Sequence, residues 1–382
     1  MLRPRLVLSV YDKDLAYRGL VSKPAEVSAT ARDYALAFES GTATVSVATG
    51  DEINEDLQAD GSHLVIQYRP DPGEDPHRLI HHVGGRIVDR GGDRWTQTYT
   101  VVDDDSVLST LLGRPVPGAS LATGQGAGAF TVTGPAETVI KSVVTANLAT
   151  TDRPLVVAPD LGRGDPLTAS LRMQALTDAL PGLPFSMLSV FVRQIDGELV
   201  LDARTPVEHT VPLTERSGVV QGTWGTKAPD FTRVMVAGGE VSGVTKYREV
   251  INEAAEALHG DCGWSPAVVM ATDTTDDAVM DAKGWEALNA AAQKASLQVE
   301  FKETDDWRYG VTFEKGDVFP IQMHGAPLLT DRVREVEITW AKGSGLTVTA
   351  RIGEHSDKPN QELAAAITQV ARAVRVDRAG RV

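Results

Sequence analysis

Short runs in which apolar and polar positions alternate dominate the first hundred residues, and turn residues separate these runs. This period of two is typical of strands with one covered face. It predicts four strands and then a hairpin, namely Arg5–Tyr11, Leu15–Val21, Thr42–Ala48, Leu64–Arg69, and Leu79–Asp89 with Trp95–Val102. We therefore predict an antiparallel, barrel-like domain over residues 1–115.

Turn chemistry adds two details to this domain. Gly91-Gly92 predicts the reversal of the hairpin, because glycine readily adopts the positive φ angles that tight turns need. Asp103 precedes a short predicted helix, Asp104–Leu112, and its carboxylate suits the N-cap position. The domain is thus predicted to end in a capped helix.

Residues 116–215 differ from this pattern and predict a middle α+β section. After an irregular glycine-rich stretch, Gly134-Pro135 precedes a helix with one apolar face, formed by Val139, Ile140, Val143, Val144 and Leu148. A second, short helix is predicted at Met173–Leu180. The section closes with a hairpin of Phe185–Gln194 and Glu198–Ala203.

The β pattern returns over residues 216–353, which predict a second barrel-like domain broadly similar to the first. Its strands include Val219–Trp224, Thr232–Ala237 and a last hairpin of Arg332–Trp340 with Leu346–Ile352. A helix that begins at Thr275 or Asp276 interrupts these strands. Its predicted inward stripe consists of Val279, Ala282, Trp285 and Leu288. The predicted fold is therefore α+β and mostly β.

Residues 354–382 predict a C-terminal helix, from Gln361 to about Val376. Its apolar positions have the spacing i, i+4, i+7 and i+11, and they are Leu363, Ile367, Val370 and Val374. A seam this narrow is typical of a coiled-coil contact, and elements at a chain end fray unless they are tied down. We expect this helix to dock against another chain; the alternative is that it packs on its own subunit.

The charge balance and the cysteine content limit the possible functions. The chain has 37 basic and 52 acidic residues, a net charge of −15, which disfavours a sequence-reading DNA binder. The charge fits a surface that DNA passes without sticking, and it fits equally well a role in solubility alone. Cys262 is the only cysteine, so an intrachain disulfide is impossible. Asp12, Lys13 and Asp14 come too early for a signal peptide, so we expect synthesis in the cytoplasm.

Candidate chemical motifs are few, and each has a simpler structural interpretation. His81-His82 lies in a predicted strand, where adjacent rings point to opposite faces and cannot share a metal ion. Asp103-Asp104-Asp105 lacks the spacing of a calcium loop and suits a helix N-terminus. Gly124–Gly128 and Gly222–Lys227 lack the spacing of a phosphate-binding loop. We predict no catalytic, cofactor or metal site.

Several short motifs occur in a fixed order along most of the chain. They are Gly85-Arg86-Ile87-Val88, Leu111-Leu112-Gly113-Arg114, Leu171–Leu176, Arg233–Gly239, Lys246-Tyr247-Arg248, Tyr309-Gly310, Lys315–Val318 and the hairpin of Val333–Gly353. In this order they resemble a family of minor tail proteins from siphoviruses of actinobacteria. One departure is Glu249–His259, which predicts a helix where the resemblance leads us to expect extended structure.

The resemblance implies a structural tail-hub protein. Such hubs form a ring at the distal end of the tail tube and connect it to the host-binding tip. Two barrel domains per subunit let a homotrimer imitate a sixfold ring. The implied partners are other copies of this chain, the distal tail protein, the tape measure protein and tip or fibre proteins, with DNA only in transit and no membrane. The implied location is the tail tip of the virion, after assembly in the host cytoplasm.

Two other functions remain open at the level of sequence. The alternative to a hub is a tail-associated cell-wall hydrolase, either a peptidase or a glycosidase. Paired carboxylates can always be found among 52 acidic residues, so counting them neither supports nor excludes it. A carbohydrate-binding tip module is disfavoured, because 5% aromatic residues hardly suffice for an exposed aromatic row.

Overall fold

The computed structural model describes residues 5–353 except residues 38, 71–74, 76, 121, 127, 149–154, 177–187, 228, 273, 292–293 and 326–327. The chain forms two compact units. Unit 1 contains the segments Met1–Gly222 and Val299–Val382, and unit 2 contains Thr223–Gln298. The four-part division predicted from the sequence stays a prediction. Among the described residues, no helix has the length and apolar character needed to cross a membrane.

Strands dominate the described part of the chain. In chain order they are β1 Leu6–Tyr11, β2 Tyr17–Leu20, β3 Pro24–Arg32, β4 Thr42–Ala48, β5 His63–Tyr68, β6 Ile80–Gly92, β7 Thr96–Asp103, β8 Leu112–Gly113, β9 Phe130–Pro135, β10 Leu155–Val157, β11 Pro166–Leu171, β12 Gln174–Ala175, β13 Ser189–Ile195, β14 Glu198–Arg204, β15 Val219–Lys227, β16 Arg233–Val241, β17 Val244–Ile251, β18 Val269–Ala271, β19 Lys294–Lys302, β20 Val318–Ile321, β21 Leu329–Ala341 and β22 Gly345–Gly353. In the described residues the α-helices are α1 Tyr34–Ala37, α2 Asn54–Gln58, α3 Ala136–Leu148, α4 Glu253–His259 and α5 Asp277–Ala290, and two 3₁₀ helices there span Asp104–Thr110 and Glu215–Ser217. The predicted mostly β class is confirmed.

One large sheet organises unit 1. Its strand order is β15-β19-β22-β21-β3-β4-β7-β6-β5-β1-β2, and β20 pairs with β21 outside this path. Every strand pair from β1 to β7 is antiparallel, and so is the pair of β3 with β21. Strands from both ends of the sequence therefore share one sheet. The strand order among the described residues is that of an open sheet, and the two barrel-like domains remain a prediction.

The inward residues of β1 to β7 form one core of unit 1. Leu8 and Val10 of β1, Val45 and Val47 of β4, and Tyr99 of β7 are almost completely buried in it. Their alternation along each strand is the one that the sequence predicts. This core fixes the register, because a slip by one residue would turn each apolar row toward solvent.

The reversal between β6 and β7 corrects the turn prediction. The pairing continues through Gly91 and Gly92, and neither glycine has a positive φ. The reversal lies at Asp93, whose Oδ1 accepts hydrogen bonds from Trp95 N at 2.7 Å and Thr96 N at 2.8 Å. An aspartate side chain thus makes the turn that the two glycines were predicted to make.

The helix α3 builds a second core of unit 1 with β9, β11, β13 and β14. Its predicted apolar face is confirmed, since Val139, Ile140, Val143 and Val144 are at most 2% exposed. The buried Glu137 on this helix accepts from Lys141 Nζ at 2.7 Å and from Arg163 Nη2 at 2.7 Å. Its carboxylate is therefore paired rather than isolated, as a buried charge must be.

Two short helices predicted in the rest of unit 1 differ in outcome: the first is wrong where it begins, and the second is confirmed with a different helix type and end. The predicted helix Met173–Leu180 begins in a different structure, because Gln174–Ala175 is strand β12, paired with β8. The rest of that range lies mostly outside the described residues. The capped helix after Asp103 is confirmed, since Asp103 Oδ1 accepts from Asp104 N at 2.9 Å. It is a 3₁₀ helix, however, and it ends at Thr110.

Unit 2 is a three-stranded sheet with a helix on one face. The strand order is β17-β16-β18, and α5 packs on the face that carries Val234, Val236 and Val250. The predicted inward stripe of this helix is wrong, because Val279 and Trp285 are each 42% exposed. Among the helix residues whose burial the structure describes, the buried ones are Met280, Gly284 and Leu288.

A glycine decides which face of α5 points inward. A Cβ at Gly284 would lie 2.5 Å from Val250 Cγ2 of β17, so only glycine allows the helix this close to the sheet. Ion pairs at the rim add to the contact, with Lys246 Nζ 2.7 Å from Asp277 Oδ1 and Arg248 paired with Asp281. Close backbone approach rather than the size of the apolar side chains thus orients the helix.

The predicted helix at Glu249–His259 is confirmed in its second half as α4.

Candidate functional site

The interaction residues predicted from the sequence lie outside the described residues. Leu363, Ile367, Val370 and Val374 all belong to residues 354–382. Their docking against another chain therefore stays a prediction. Two surfaces that the sequence did not predict are candidates for assembly contacts, and they are found on unit 1 and on unit 2.

The first surface is a groove of about 910 Å³ on unit 1, called here the strand-end groove. It lies between the start of β1, the start of β3 and the β21–β22 hairpin. Its apolar lining includes Leu6, Leu8, Leu20, Val21, Trp340 and Leu346. Leu20 is 49% exposed, so part of this lining faces solvent. A partly uncovered apolar groove is typical of a contact site for another protein.

The backbone of β1 is open toward this groove. The pairing of β1 with β2 starts at Ser9, and the last bond on this side runs from Val21 N to Leu8 O at 2.9 Å. The N–H and C=O groups of Leu6 point to the same side, because strand residues alternate. The first residues of β1 thus extend beyond β2 and form a short strand edge, which proteins commonly cover by assembly.

Basic side chains line the mouth of the strand-end groove. Arg5 Nη2 lies 3.1 Å from Glu303 Oε2 and also donates to the hydroxyl of Tyr68. Burial and the adjacent Glu303 raise the pKa of Tyr68, so its hydroxyl is protonated and donates to Glu303. Lys23 and Lys342 add two further positive charges to the lining. The mouth is therefore basic, in a chain whose net charge is −15.

The second surface is the face of the unit 2 sheet opposite α5, called here the open face. One row across its three strands consists of Tyr247, Ala237 and Met270, which are register partners. Tyr247 is 62% exposed and Met270 is 63% exposed, and Val268 next to them is 47% exposed. These side chains surround a shallow groove of about 570 Å³.

The sequence of β16 contains a signal for this surface that periodicity alone did not reveal. Val234, Met235, Val236 and Ala237 form a continuous apolar run, which is typical of a strand covered on both faces. Within unit 2, Val234 and Val236 pack in the core under α5. Met235 and Ala237 point to the other side, as strand alternation requires. The run thus indicates a second covering layer for the open face.

Carboxylates border the open face. Glu240 at the end of β16 lines its groove, and Glu249 of β17 lies opposite Met235 on the same face. Both glutamates are exposed. Residues 223–298 contain 11 acidic and 6 basic residues, which gives 6 − 11 = −5. Apolar residues in the centre and carboxylates at the border fit an apolar partner with basic ends.

The three consecutive aspartates form a buried polar cluster rather than a surface site. Asp103, Asp104 and Asp105 are each at most 4% exposed. Asp105 accepts a hydrogen bond from Val192 N of β13 and thereby joins the 3₁₀ helix to the second core. Among the described residues no group of three or more His, Cys, Asp or Glu side chains is arranged to hold a metal ion. The cluster therefore has a structural role in unit 1.

Burial sets the protonation of this cluster. Burial and the neighbouring carboxylates raise the pKa of Asp104 to about 9, and burial and Asp103 raise that of Asp105 to about 7. At neutral pH, Asp104 is thus protonated. A neutral carboxylic acid in a low-dielectric site avoids the cost of an unpaired buried charge.

The histidine pair departs from the predicted alternation. The register of β5 with β6 shifts between Ile66 and Gln67, which leaves His82 as an extra residue in a β-bulge. Burial lowers the pKa of both His81 and His82, to about 4 for His82, and the nearby charge of Lys315 lowers both further. The ring of His82 forms two hydrogen bonds, one between Nε2 and Ala29 O at 3.0 Å and one between Nδ1 and the Tyr309 hydroxyl at 3.2 Å. The neutral ring of His82 therefore serves as a buried hydrogen-bonding group.

The fold is shared with phage tail proteins of known structure. The 43 kDa tail protein of prophage MuSo2 from Shewanella oneidensis has 12% identity and a TM-score of 0.54, over 91% of this chain and 98% of that one. The prophage tail protein gp18 from Listeria monocytogenes has 9% identity and a TM-score of 0.53, over 97% and 99%. The tail protein from Neisseria meningitidis has 12% identity and a TM-score of 0.50, over 92% and 97%. At these identities the likeness is one of fold alone.

The family assignment comes from the sequence. Residues 7–354 match the family model of the Siphovirus ReqiPepy6 Gp37-like protein, and this chain belongs to that family of siphovirus tail proteins. The resemblance to siphovirus tail proteins is thereby confirmed. No curated protein matches this chain in sequence.

Proposed function

We propose that this chain is a structural subunit of a siphovirus tail hub, which forms a ring at the distal end of the tail tube and connects the tube to the host-binding tip. The observation that carries the proposal is the family match over residues 7–354. A tail protein acts through contacts with other subunits. The strand-end groove and the open face provide apolar surface for such contacts.

The ring would consist of like subunits, as a homotrimer. A head-to-tail contact between identical chains either closes into a ring or grows without limit, and a tube end needs closure. We propose that the strand-end groove is covered by a second copy, because its basic mouth suits an acidic chain of net charge −15. The two barrel-like segments, residues 1–115 and 216–353, would then alternate around the ring.

The remaining partners follow from the position of a hub. They would be the distal tail protein, the tape measure protein and tip or fibre proteins, with DNA passing only in transit. The protein would be part of the virion at the tail tip. Its role would be structural rather than enzymatic.

The test is the native mass of the purified protein together with its copy number in the particle. Three copies in solution and a multiple of three per virion would support the ring. An isolated monomer in the particle would exclude it. Incubation with host peptidoglycan tests the alternative, since release of soluble fragments would favour a hydrolase, with heat-unfolded protein as the control.

A further inference from the structure

Among the described residues of unit 2, no layer covers the open face. Helix α5 covers one side of the sheet, while Tyr247 and Met270 on the other side are more than 60% exposed. The continuous apolar run of β16 is typical of a strand with both faces covered. The occupant must therefore present an apolar surface of matching size and charge.

The size of the open face fits one helix of this chain. Met235 and Val241 of β16 are six residues apart, or about 20 Å at strand rise. The predicted seam from Leu363 to Val374 spans 11 residues, or about 16 Å at helix rise. One seam would thus cover most of the length of the central strand.

The charge of the C-terminal segment is complementary to the border of the open face. Residues 363–382 contain four arginines and one aspartate, in a chain that is otherwise acidic. Arg378 follows Val374 by four residues and Arg381 follows by seven, so both come directly after the apolar seam, just beyond the predicted helix end at about Val376. The border of the open face carries Glu240 and Glu249. The strand-end groove is a poorer match, because its own mouth is basic.

We infer that the C-terminal segment of one copy, with the seam of Leu363, Ile367, Val370 and Val374, docks on the open face of unit 2 of a second copy. Arg378 and Arg381 pair there with Glu240 and Glu249. This inference rests on the proposed ring of like subunits, because the C-terminal segment of one subunit would then bind the neighbouring subunit. It names the contact that the hub hypothesis leaves unspecified.

The first experiment measures recognition of the segment by the open face. A fluorescent peptide of residues 354–382 is titrated against the full chain carrying Ile367→Asp and Val370→Asp, so that the chain's own segment does not compete. Adding Met270→Asp to the receptor should weaken binding about tenfold or more, because it places a charge in the centre of the contact. Val279→Asp, an exposed apolar position on α5 at the opposite side of unit 2, is the matched control and should leave binding unchanged.

Charge reversal guards against a receptor that has merely lost its fold. Glu240→Lys with Glu249→Lys should weaken binding of the peptide, and a peptide with Arg378→Glu and Arg381→Glu should restore it. An unfolded receptor cannot be rescued in this way. Absence of binding to the tail-disabled chain, an unchanged affinity after Met270→Asp, or a failure of the rescue would each overturn the inference.

The second experiment decides which copy provides the segment. A photoreactive benzoylphenylalanine replaces Ile367 in the full chain, and the cross-linked product is weighed and mapped. A product of twice the chain mass, linked to β16, β17 or β18, supports docking on a second copy; a product of single-chain mass overturns it. The native mass is measured independently. A ring without this cross-link therefore refutes only the docking of the C-terminal segment, whereas a monomer refutes the proposed hub.

Discussion

Glu335 of β21 accepts a hydrogen bond from Arg32 Nε of β3 at 3.2 Å, although 303 residues separate the two along the chain. They are also direct partners in the register of the two strands. The other carboxylate oxygen of Glu335 accepts from Arg351 Nη1 of β22 at 2.6 Å. Burial raises the pKa of Glu335, but the two arginines lower it by more, so the group stays ionised. This carboxylate joins β3, from the start of the chain, to β21 and β22, from its end.

Glu335→Gln should lower the free energy of unfolding at pH 7 by about 1.5–3 kcal/mol, the range for hydrogen bonds to charged groups. The folded-state pKa lies below the unfolded one, so this stabilisation is present above the unfolded pKa and is lost as the pH falls through the folded pKa. Urea unfolding of both proteins at pH 7 and near pH 3 measures this. Glu26→Gln, at an exposed position of β3, should stay within about 0.5 kcal/mol of the wild type. An equal loss at both pH values would contradict the role of the ionised carboxylate.

Asp104→Asn should stabilise the protein at pH 8 and have little effect near pH 4. The folded-state pKa of Asp104 is about 9, far above the ordinary aspartate value of 3.8, so the stabilisation from its neutral form is full below pH 4 and is lost as the pH rises toward 9. Asparagine has the same shape and stays neutral, which removes this loss. Thermal unfolding across this pH range measures the difference, with the exposed Asp306→Asn as control. A difference that does not change with pH would refute the buried-carboxylate explanation.

Gly85→Ala should destabilise the protein by about 2–3 kcal/mol, because a methyl group there would lie 1.9 Å from Val102 O of the neighbouring strand. Gly91 lies in the same strand with open space around it, so Gly91→Ala should be within about 0.5 kcal/mol of wild type. Chemical unfolding of both variants provides the comparison. Equal effects would show that the contact of β6 with β7 is less close than described.

Leu20→Asp should weaken assembly while the single chain keeps its stability. Leu20 is 49% exposed and lines the strand-end groove, so a charge there is tolerated in the monomer but opposes an apolar contact. Sedimentation at several concentrations should show a dissociation constant raised about tenfold or more. Leu161→Asp, at a 69% exposed position away from the groove, serves as the matched control. If both variants assemble like the wild type, the groove is not an interface between copies.

Sequence periodicity found most strands, but it missed the strand that organises the sheet. The residues of β3 that point inward are Val27, Ala29 and Ala31, and alanine has little β propensity. Their small size nevertheless suits a central position, where β4 and β21 flank the strand on both sides. Because pairing with β4 and β21 positions this strand, the hydrophobic alternation in its own residues is weak.

The sequence by itself determined the mostly β class, the strand rhythm, the apolar face of α3 and the capping role of Asp103, since each depends on residues close together in the chain. Only the tertiary structure decided that β3 pairs with β21, that Gly284 turns α5 inward, and that the strand-end groove and the open face exist. These features depend on contacts between distant segments. Local periodicity carries no information about which segments meet, because the free energy of such contacts arises only when packing brings both partners together.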